Sequence, residues 1–138
     1  MARVLIVDDS PTVCLALRAR LSRIGHEARA ARSLGEVRGL IAHFKPQIVL
    51  LDLEMPQADG VQIGTRLRGE WAPDAAILVH SGRPPSELAQ AAQKLDASGI
   101  LRKGCSPLAL SAMIERALSM RRASNLGSTP PDPLALGS

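Results

Sequence analysis

The stretch Gln47-Ile-Val-Leu-Leu-Asp-Leu-Glu-Met-Pro-Gln-Ala-Asp-Gly60 is the most informative part of this chain. Residues 48–51 form a short unbroken apolar run, which is typical of a strand buried on both faces of a sheet. The run ends abruptly at an acid, Asp52. The carboxyl ends of strands in open α/β sheets are where ligands bind. Asp52 alone is equally consistent with an acid that merely ends a strand or caps a turn. A binding role for Asp52 therefore depends on whether other strand ends bring complementary groups to it.

Composition limits the classes of protein that fit this chain. A length of 138 residues fits one domain, and a hydrophobic fraction of 46% is enough for a continuous core. One Phe, one Trp and no Tyr leave little aromatic surface for stacking on bases, so single-stranded nucleic-acid binding is disfavoured. The net charge of +4 and the pI near 9.8 permit an acidic partner without requiring one.

Cysteine spacing and hydropathy bear on where the protein works. Cys14 and Cys105 lack the close spacing of a metal or redox motif and are interpreted as reduced thiols. The apolar run after Arg3 is too short for a signal peptide, and no apolar segment reaches the roughly 18 residues of a membrane span. We therefore expect a cytoplasmic protein that does not cross a membrane.

Other apolar runs also end at polar residues. Residues 4–7 are followed by Asp8-Asp9, residues 76–79 by His80-Ser81-Gly82, and residues 100–102 by Lys103. Residues 27–30 form a weaker strand pattern, expected at the edge of the sheet. The sequence thus predicts five strands.

Helical patterns separate these strands. The first predicted helix starts at Ser10-Pro11, stops at Gly25, and buries Val13, Leu17, Leu21 and Ile24. Ser33 and Glu36 predict a capping box for the second helix. The third helix follows Gly60 and is predicted to break between Gly69 and Asp74, with Trp71 in the connection.

The last two helices follow Pro-rich starts. The fourth begins near Ser86 and the fifth at Ser106-Pro107, and the fifth helix is predicted to bury Leu110, Ile114, Ala117 and Leu118. Residues beyond Arg122 have no periodicity, which predicts a flexible tail over residues 123–138 after a domain of residues 1–122.

Five strands alternating with five helices predict an α/β fold with a parallel sheet and helices on both faces. The carboxyl ends of all strands then meet at one edge. That edge brings together carboxylate, hydroxyl and amine side chains from the ends of four strands: Asp8, Asp9, Asp52, Ser81 and Lys103.

This set of residues suits phosphoryl transfer. Crowded carboxylates raise one another's pKa unless a cation neutralises them, and Mg²⁺ prefers oxygen ligands of this kind. Asp52 can act as the nucleophile while Asp8 and Asp9 hold the metal. Lys103 and the Ser81 hydroxyl can each contact a phosphoryl oxygen.

These motifs resemble the response-regulator receiver domains of two-component signalling, including stand-alone chemotaxis-type regulators. The resemblance covers about residues 3–122 and rests on Asp8-Asp9, Asp52 with Asp59-Gly60, Ser81-Gly82 and Lys103. It implies a flavodoxin-like doubly wound sheet of order 2-1-3-4-5 and a signalling domain rather than an enzyme.

The same resemblance implies the roles of the site residues. Asp52 would accept phosphate from a histidine kinase or phosphotransfer protein. Mg²⁺ would be held by Asp9, Asp52 and the backbone carbonyl of Glu54, with Asp8 acting through water. Glu54 and Arg83 are expected to pair across the mouth of the pocket and to limit hydrolysis.

Two positions depart from the family pattern. Gly104 follows Lys103 where the family usually has Pro, often after a cis peptide bond, and Ile100 stands where it usually has a switching Tyr or Phe. An aromatic rotation cannot then be the readout. Output is expected through loop or helix shifts on the surface of the fourth helix, fifth strand and fifth helix.

The partners follow from this surface. It carries Arg102, Arg116, Arg121 and Arg122, so we expect an acidic effector protein or a homodimer, and no direct DNA binding. The other arginines are interpreted as a solvated face, and His26, His43 and His80 as surface or locally bonded residues.

Two alternatives remain open. A haloacid-dehalogenase-type phosphohydrolase also uses an Asp nucleophile, and Glu54 has the spacing of its second acid, although Asp is usual there. A pseudo-receiver that only binds proteins is kept open by Ile100 and Gly104, while the complete acidic pocket argues against it.

Overall fold

The computed structural model describes residues 1–55 and 60–128 and contains one parallel five-stranded sheet. Its strands are β1 (Arg3–Val7), β2 (Glu27–Ala31), β3 (Ile48–Asp52), β4 (Ala76–Ser81) and β5 (Gly99–Arg102). Their order in the sheet is β2-β1-β3-β4-β5. The predicted fold and strand order are therefore confirmed, and β2 lies at an edge as expected.

Five α-helices connect and cover the strands: α1 (Pro11–Arg23), α2 (Leu34–Phe44), α3 (Gly60–Arg66), α4 (Pro85–Lys94) and α5 (Pro107–Ser128). The last helix continues past Arg122, where the sequence pattern placed the end of the ordered domain. Residues 129–138 of the predicted tail and Asp59 of the central motif lie outside the described residues. Within those described ranges, no helix is long and apolar enough to cross a membrane.

The sheet separates two hydrophobic cores because successive strand residues point to opposite faces. Leu50 belongs to the core under α1 and α5, whereas its neighbour Leu51 belongs to the core under α2 and α3. Every residue of β3 and β4 is buried, as their unbroken apolar runs predict. The predicted inner face of α5, from Leu110 to Leu118, is also buried.

Helix α1 buries a different set of residues from the one that its spacing predicted. Cys14, Leu17 and Leu21 face the core, whereas Val13 is only half-buried and Ile24 is exposed. The prediction for Ile24 is wrong because this residue is the C-cap, and its non-helical backbone turns the side chain away from the buried face of the helix. Cys14 shares the buried face of Leu17 and Leu21 at helical steps of three and four, and its thiol donates to the backbone carbonyl of Asp8 at 3.3 Å.

The predicted end of the third helix between Gly69 and Asp74 is confirmed, but the prediction that Trp71 lies in the connection is wrong. The chain continues from α3 into a π-helical turn, Leu67–Trp71, and leaves the helix only at Ala72. Arg68 stabilises this turn by donating to backbone carbonyls of Pro73, Ala75, Leu95 and Asp96. These acceptors lie on other segments, so a local sequence pattern does not reveal them.

The amino-terminal ends of α1 and α2 are capped by serine side chains, as predicted. Ser10 accepts a hydrogen bond from the N–H of Val13, and Ser33 accepts one from the N–H of Glu36. The reciprocal half of the capping box is displaced, because the Glu36 carboxylate accepts from the N–H of Arg32 and not from that of Ser33. The short β1–α1 connection holds Asp8 and Asp9 at the edge of the sheet.

Candidate functional site

The site is built on a row of side chains across the carboxyl edge of the sheet. Asp52 ends β3 and lies opposite His80 of β4 in the strand register. Val7 lies opposite Leu51, so Asp8 follows β1 directly beside Asp52. Paired residues on neighbouring strands point to the same face, which here is the face covered by α1 and α5.

Three carboxylates meet at this edge. One carboxylate oxygen from each of Asp8, Asp9 and Asp52 lies within 4.8 Å of the others. Asp8 and Asp52 are buried, and Asp9 is half-buried. Gly60 makes the approach of the chain to this edge possible, because a Cβ there would lie 2.5 Å from the backbone oxygen of Asp52.

Lys103 joins two of these acids. Its Nζ atom lies 3.2 Å from Oδ2 of Asp52 and 3.2 Å from Oδ2 of Asp8. Burial acts to lower the pKa of Lys103, but the hydrogen bond and charge of Asp52, followed by those of Asp8, outweigh it and raise the pKa. The ammonium group therefore stays charged between the carboxylates.

Asp52 is held in a mixed environment. Burial is the main reason that the pKa of Asp52 lies above its ordinary value, and the charge of Asp8 acts in the same direction. The N–H of Glu54 donates to Oδ1 of Asp52 at 2.9 Å and, with Lys103, acts to lower that pKa. One carboxylate oxygen is thus oriented by the backbone and the other by Lys103.

Ser81 lies at the same edge but is tied to its own loop. The side chain is fully buried, and its hydroxyl oxygen accepts a hydrogen bond from the N–H of Arg83 at 3.1 Å. The backbone carbonyl of Ser81 accepts from the N–H of Lys103 at 2.9 Å. The ends of β4 and β5 are therefore fixed to each other beside the acids.

Glu54 and Arg83 form the ion pair that the sequence predicted. The Nε atom of Arg83 contacts Oε1 of Glu54, and the two side chains are 61% and 36% exposed. The pair connects the loop after β3 with the loop after β4. The N–H of Glu54 donates to Asp52 and the N–H of Arg83 donates to Ser81, so the pair adjoins the site.

His80 was missed as a site residue. It is not on the surface: it is 3% exposed, and its Nδ1 lies 3.9 Å from Oδ2 of Asp8. Burial, followed by the charge of Lys103, lowers the pKa of His80 to about 4, although Asp8 acts in the opposite direction. Alternation along the strand could have found it, because His80 shares the face of Leu78.

The two departures from the family pattern have definite geometries. Gly104 has a φ of +80°, and the N–H of Cys105 donates to the carbonyl of Arg102, so residues 102–105 form a turn with glycine at its third position. No cis peptide bond occurs in the described residues. Ile100 is half-buried.

The acids suit a divalent cation on physical grounds. Three carboxylates and one ammonium leave a formal charge of −3 + 1 = −2 at the site. Oδ2 of Asp8 is buried without a hydrogen-bond partner, although Lys103 lies within ion-pair distance. Such an oxygen is costly unless a cation or water satisfies it. An all-oxygen donor set of this kind favours Mg²⁺.

A doubly wound parallel sheet with clustered acids and a strand-end lysine at its carboxyl edge defines the receiver class of signalling domain. The comparison with protein families supports this directly, since the model of the response regulator receiver domain matches residues 4–115. The chain therefore belongs to the response regulator receiver family and is a receiver of two-component signalling.

Individual relatives agree with this assignment. The chain is similar to protein PilH of Pseudomonas aeruginosa, with 43% identity over 79 residues, which is 57% of this chain and 64% of PilH. It is 32% identical to the response regulator MprA of Mycobacterium sp. strain KMS over 131 residues, covering 95% of this chain and 55% of MprA. The aligned segment thus spans less than two thirds of each relative's length.

Solved structures share the fold. A CheY-like receiver domain protein from Methanospirillum hungatei JF-1 has a TM-score of 0.80 and 21% identity, covering 90% of this chain and 98% of that one. A receiver domain protein from Clostridium thermocellum has a TM-score of 0.77 and 26% identity, with coverages of 89% and 98%. Both comparisons agree with the strand order 2-1-3-4-5 observed here.

Proposed function

We propose that Asp52 accepts a phosphoryl group from a histidine kinase or phosphotransfer protein in the presence of Mg²⁺. The observation that carries this proposal is the buried Asp52 carboxylate with Nζ of Lys103 at 3.2 Å, beside the carboxylates of Asp8 and Asp9. A carboxylate with a fixed ammonium and a metal-binding acid cluster has the parts that phosphoryl transfer requires.

The transfer step conserves atoms and electrons. An oxygen of Asp52 forms a bond to phosphorus as the P–N bond of the donor's phosphohistidine breaks, and the donor imidazole keeps the bonding electron pair. Lys103 then neutralises a phosphoryl oxygen in place of the Asp52 oxygen that it now contacts. The Ser81 hydroxyl, now oriented by the N–H of Arg83, donates to another phosphoryl oxygen.

The metal would be held by Asp9, Asp52 and the backbone carbonyl of Glu54, with Asp8 acting through a water molecule. When bound, Mg²⁺ supplies positive charge against the acids and the phosphoryl oxygens. In this scheme Asp9→Asn weakens Mg²⁺ affinity more than Asp8→Asn, because of these two acids only Asp9 would bind the metal directly.

The phosphorylated domain would act by changing its contacts with other proteins. The surface of α4, β5 and α5 exposes Arg102 and Arg116, which favours an acidic effector or a second copy of this chain. Arg121 contributes less, because its Nε donates to the carbonyl of Asp74. DNA binding is not part of this proposal. The domain boundary at residue 122, the tail and the cytoplasmic location also stay predictions.

The phosphohydrolase alternative gains no support from the site. Glu54, which would serve as its second acid, has its carboxylate paired with Arg83. Family membership also favours a signalling domain over an enzyme.

One assay distinguishes the three hypotheses, namely a receiver, a phosphohydrolase and a pseudo-receiver. The protein is incubated with acetyl phosphate and Mg²⁺, and intact mass and released phosphate are followed together. We expect about one phosphoryl group per wild-type chain, and none when EDTA removes Mg²⁺ before acetyl phosphate is added. Turnover of many different substrates in place of a stable label would indicate a phosphohydrolase, and an absence of labelling would indicate a pseudo-receiver.

A further inference from the structure

A buried histidine lies in the acid site without a role in the scheme above. His80 occupies the β4 position opposite Asp52, and its side chain is buried between the sheet and the helices of that face. A polar ring in such a place needs a partner. Within the described residues, the polar group that the structure sets beside its Nδ1 is Oδ2 of Asp8.

Oδ2 of Asp8 likewise needs a hydrogen-bond donor. Oδ1 of Asp8 accepts a hydrogen bond from the N–H of Ser10 at 2.9 Å, whereas buried Oδ2 has none. Lys103 is paired with that oxygen at 3.2 Å, and the same ammonium group is shared with Asp52. Nδ1 of His80, at 3.9 Å, is about 1 Å beyond hydrogen-bond distance.

Phosphorylation would make this need greater. Lys103 is the cation between Asp8 and Asp52, and the proposed function moves it to a phosphoryl oxygen. Oδ2 of Asp8 then keeps His80 as its neighbouring donor from the sheet. A neutral ring suits this position better than a second cation, which would repel the divalent metal.

We propose that His80 is a positioning residue that presents Nδ1–H to Oδ2 of Asp8 and orients this carboxylate for Mg²⁺ binding. The inference rests on the proposed function, because it assigns a part of the same metal site. A neutral imidazole donates from only one of its nitrogens, so the position of Oδ2 of Asp8 beside Nδ1 selects the tautomer. Partners of this kind hold the outer shell of metal sites in the required orientation.

The first test needs no metal. Long-range ¹H–¹⁵N spectra of the histidine rings report which ring nitrogen carries the proton. In the metal-free wild-type protein at neutral pH we expect His80 to carry it on Nδ1. A His80 protonated on Nε2 would overturn the proposal, because Nδ1 could then only accept.

The second test compares three variants by Mg²⁺ titration, followed by calorimetry or by NMR shifts. His80→Asn places an amide N–H near the position of Nδ1, His80→Gln places one near Nε2, and His80→Val provides no donor. We expect His80→Gln and His80→Val to bind Mg²⁺ roughly tenfold more weakly, and His80→Asn to stay within about twofold of wild type.

The outcomes are distinct. Equal affinities in all four proteins, or an Asn variant as weak as the Val variant, would overturn the role of His80. If His80→Val does not fold, the comparison of the Asn and Gln variants decides, with thermal unfolding as the check that both are native. Wild-type protein that does not bind Mg²⁺ would refute the proposed function instead, and the tautomer measurement would still judge the hydrogen bond.

Discussion

Glu54 and Arg83 form an exposed ion pair between the loops that follow β3 and β4, and this contact bears on how long a phosphoryl group would persist. Both side chains are more than a third exposed, so the pair contributes at most about 1 kcal/mol. That energy corresponds to a several-fold change in rate. We expect the pair to hinder the approach of water to the phosphoryl group.

We expect Arg83→Ala to shorten the phosphorylated lifetime several-fold, because the ion pair no longer covers the approach to Asp52. The effect should shrink in high salt, which screens exposed pairs. Decay of labelled protein is measured at low and high ionic strength, with Arg38→Ala on the exposed face of α2 as the matched control. A decay rate that is unchanged at low salt would count against the cover.

Gly104 has a positive φ that other residues adopt only with strain. Gly104→Ala should lower the free energy of unfolding by about 1 kcal/mol, since the added Cβ meets no neighbour within 4 Å and the cost is conformational. Gly104→Pro should cost more, because proline fixes φ near −65°. Denaturant unfolding measures both.

The matched control for Gly104 is Gly39→Ala in the interior of α2, where a Cβ also meets no neighbour. That change should stabilise the protein by about 0.5–1 kcal/mol, because alanine is the better helix former. The same sign at both positions would contradict the account of the turn after Lys103.

At the scale of elements, His26 connects the end of α1 to the start of the chain. Its Nδ1 accepts a hydrogen bond from the N–H of Ala2 at 2.9 Å, and the ring is buried. Burial lowers the pKa of His26 from 6.5, the amino terminus adds to this, and Glu115 opposes it. Protonation would place a donor against the Ala2 donor.

This arrangement predicts a pH dependence of stability. Below pH 6.5 the unfolded chain binds a proton at His26 that the folded chain does not, so the free energy of unfolding falls as pH falls. His26→Asn keeps an acceptor without the titration, so we expect it to lose less stability between pH 7 and about pH 5. Urea unfolding at both pH values tests this, with exposed His43→Asn as the control.

An identical pH response in wild type and His26→Asn would contradict this role. His80 is present in all three proteins and does not affect the comparison.

Some elements could be predicted from the sequence and others could not, for physical reasons. The strands were predictable because 48–51 and 76–79 are apolar runs buried on both faces. The π-helical turn was not, because Arg68 stabilises it through carbonyls as distant as Asp96. Ile24 was assigned to the core because periodicity does not show where a helix ends.

The same division applies to the site. Asp8, Asp9, Asp52 and Lys103 come together because parallel strands bring their carboxyl ends to one edge, a rule that operates on sequence alone. The Glu54–Arg83 contact followed from spacing within the two loops. His80 could be found by alternation along β4, which places it on the face of Leu78, whereas the type of turn at Gly104 required its φ.

At the scale of the whole molecule, the proposed phosphorylation at the carboxyl edge of the sheet must be transmitted to the surface of α4, β5 and α5. The family's usual aromatic switch is replaced by Ile100, which is half-buried. Lys103 connects the site to β5, and its N–H bonds to the carbonyl of Ser81 at the end of β4. Movement of Lys103 or Ser81 toward a phosphoryl group would therefore displace the ends of β4 and β5.

We expect phosphorylation to change the oligomeric state or the amide hydrogen exchange of residues 86–95, 100–102 and 107–122, because these segments contain or follow the displaced strand ends. Exchange in α2, which packs on the opposite face of the sheet from α5, is the internal reference. Asp52→Asn protein treated with the same phosphodonor controls for binding of the donor. Unchanged exchange and unchanged oligomeric state in labelled protein would contradict this output surface.

The central claim is that Asp52 is the phosphoacceptor of a Mg²⁺-dependent reaction. The most direct measurement is reductive trapping: labelled protein is treated with borohydride, which converts an aspartyl phosphate to homoserine, and the modified residue is located by peptide mass spectrometry. We predict modification at residue 52 alone, lost without Mg²⁺ and absent from Asp52→Asn protein. Trapping at another acid, or acid-stable phosphate on the Asp52→Asn protein, would contradict the account.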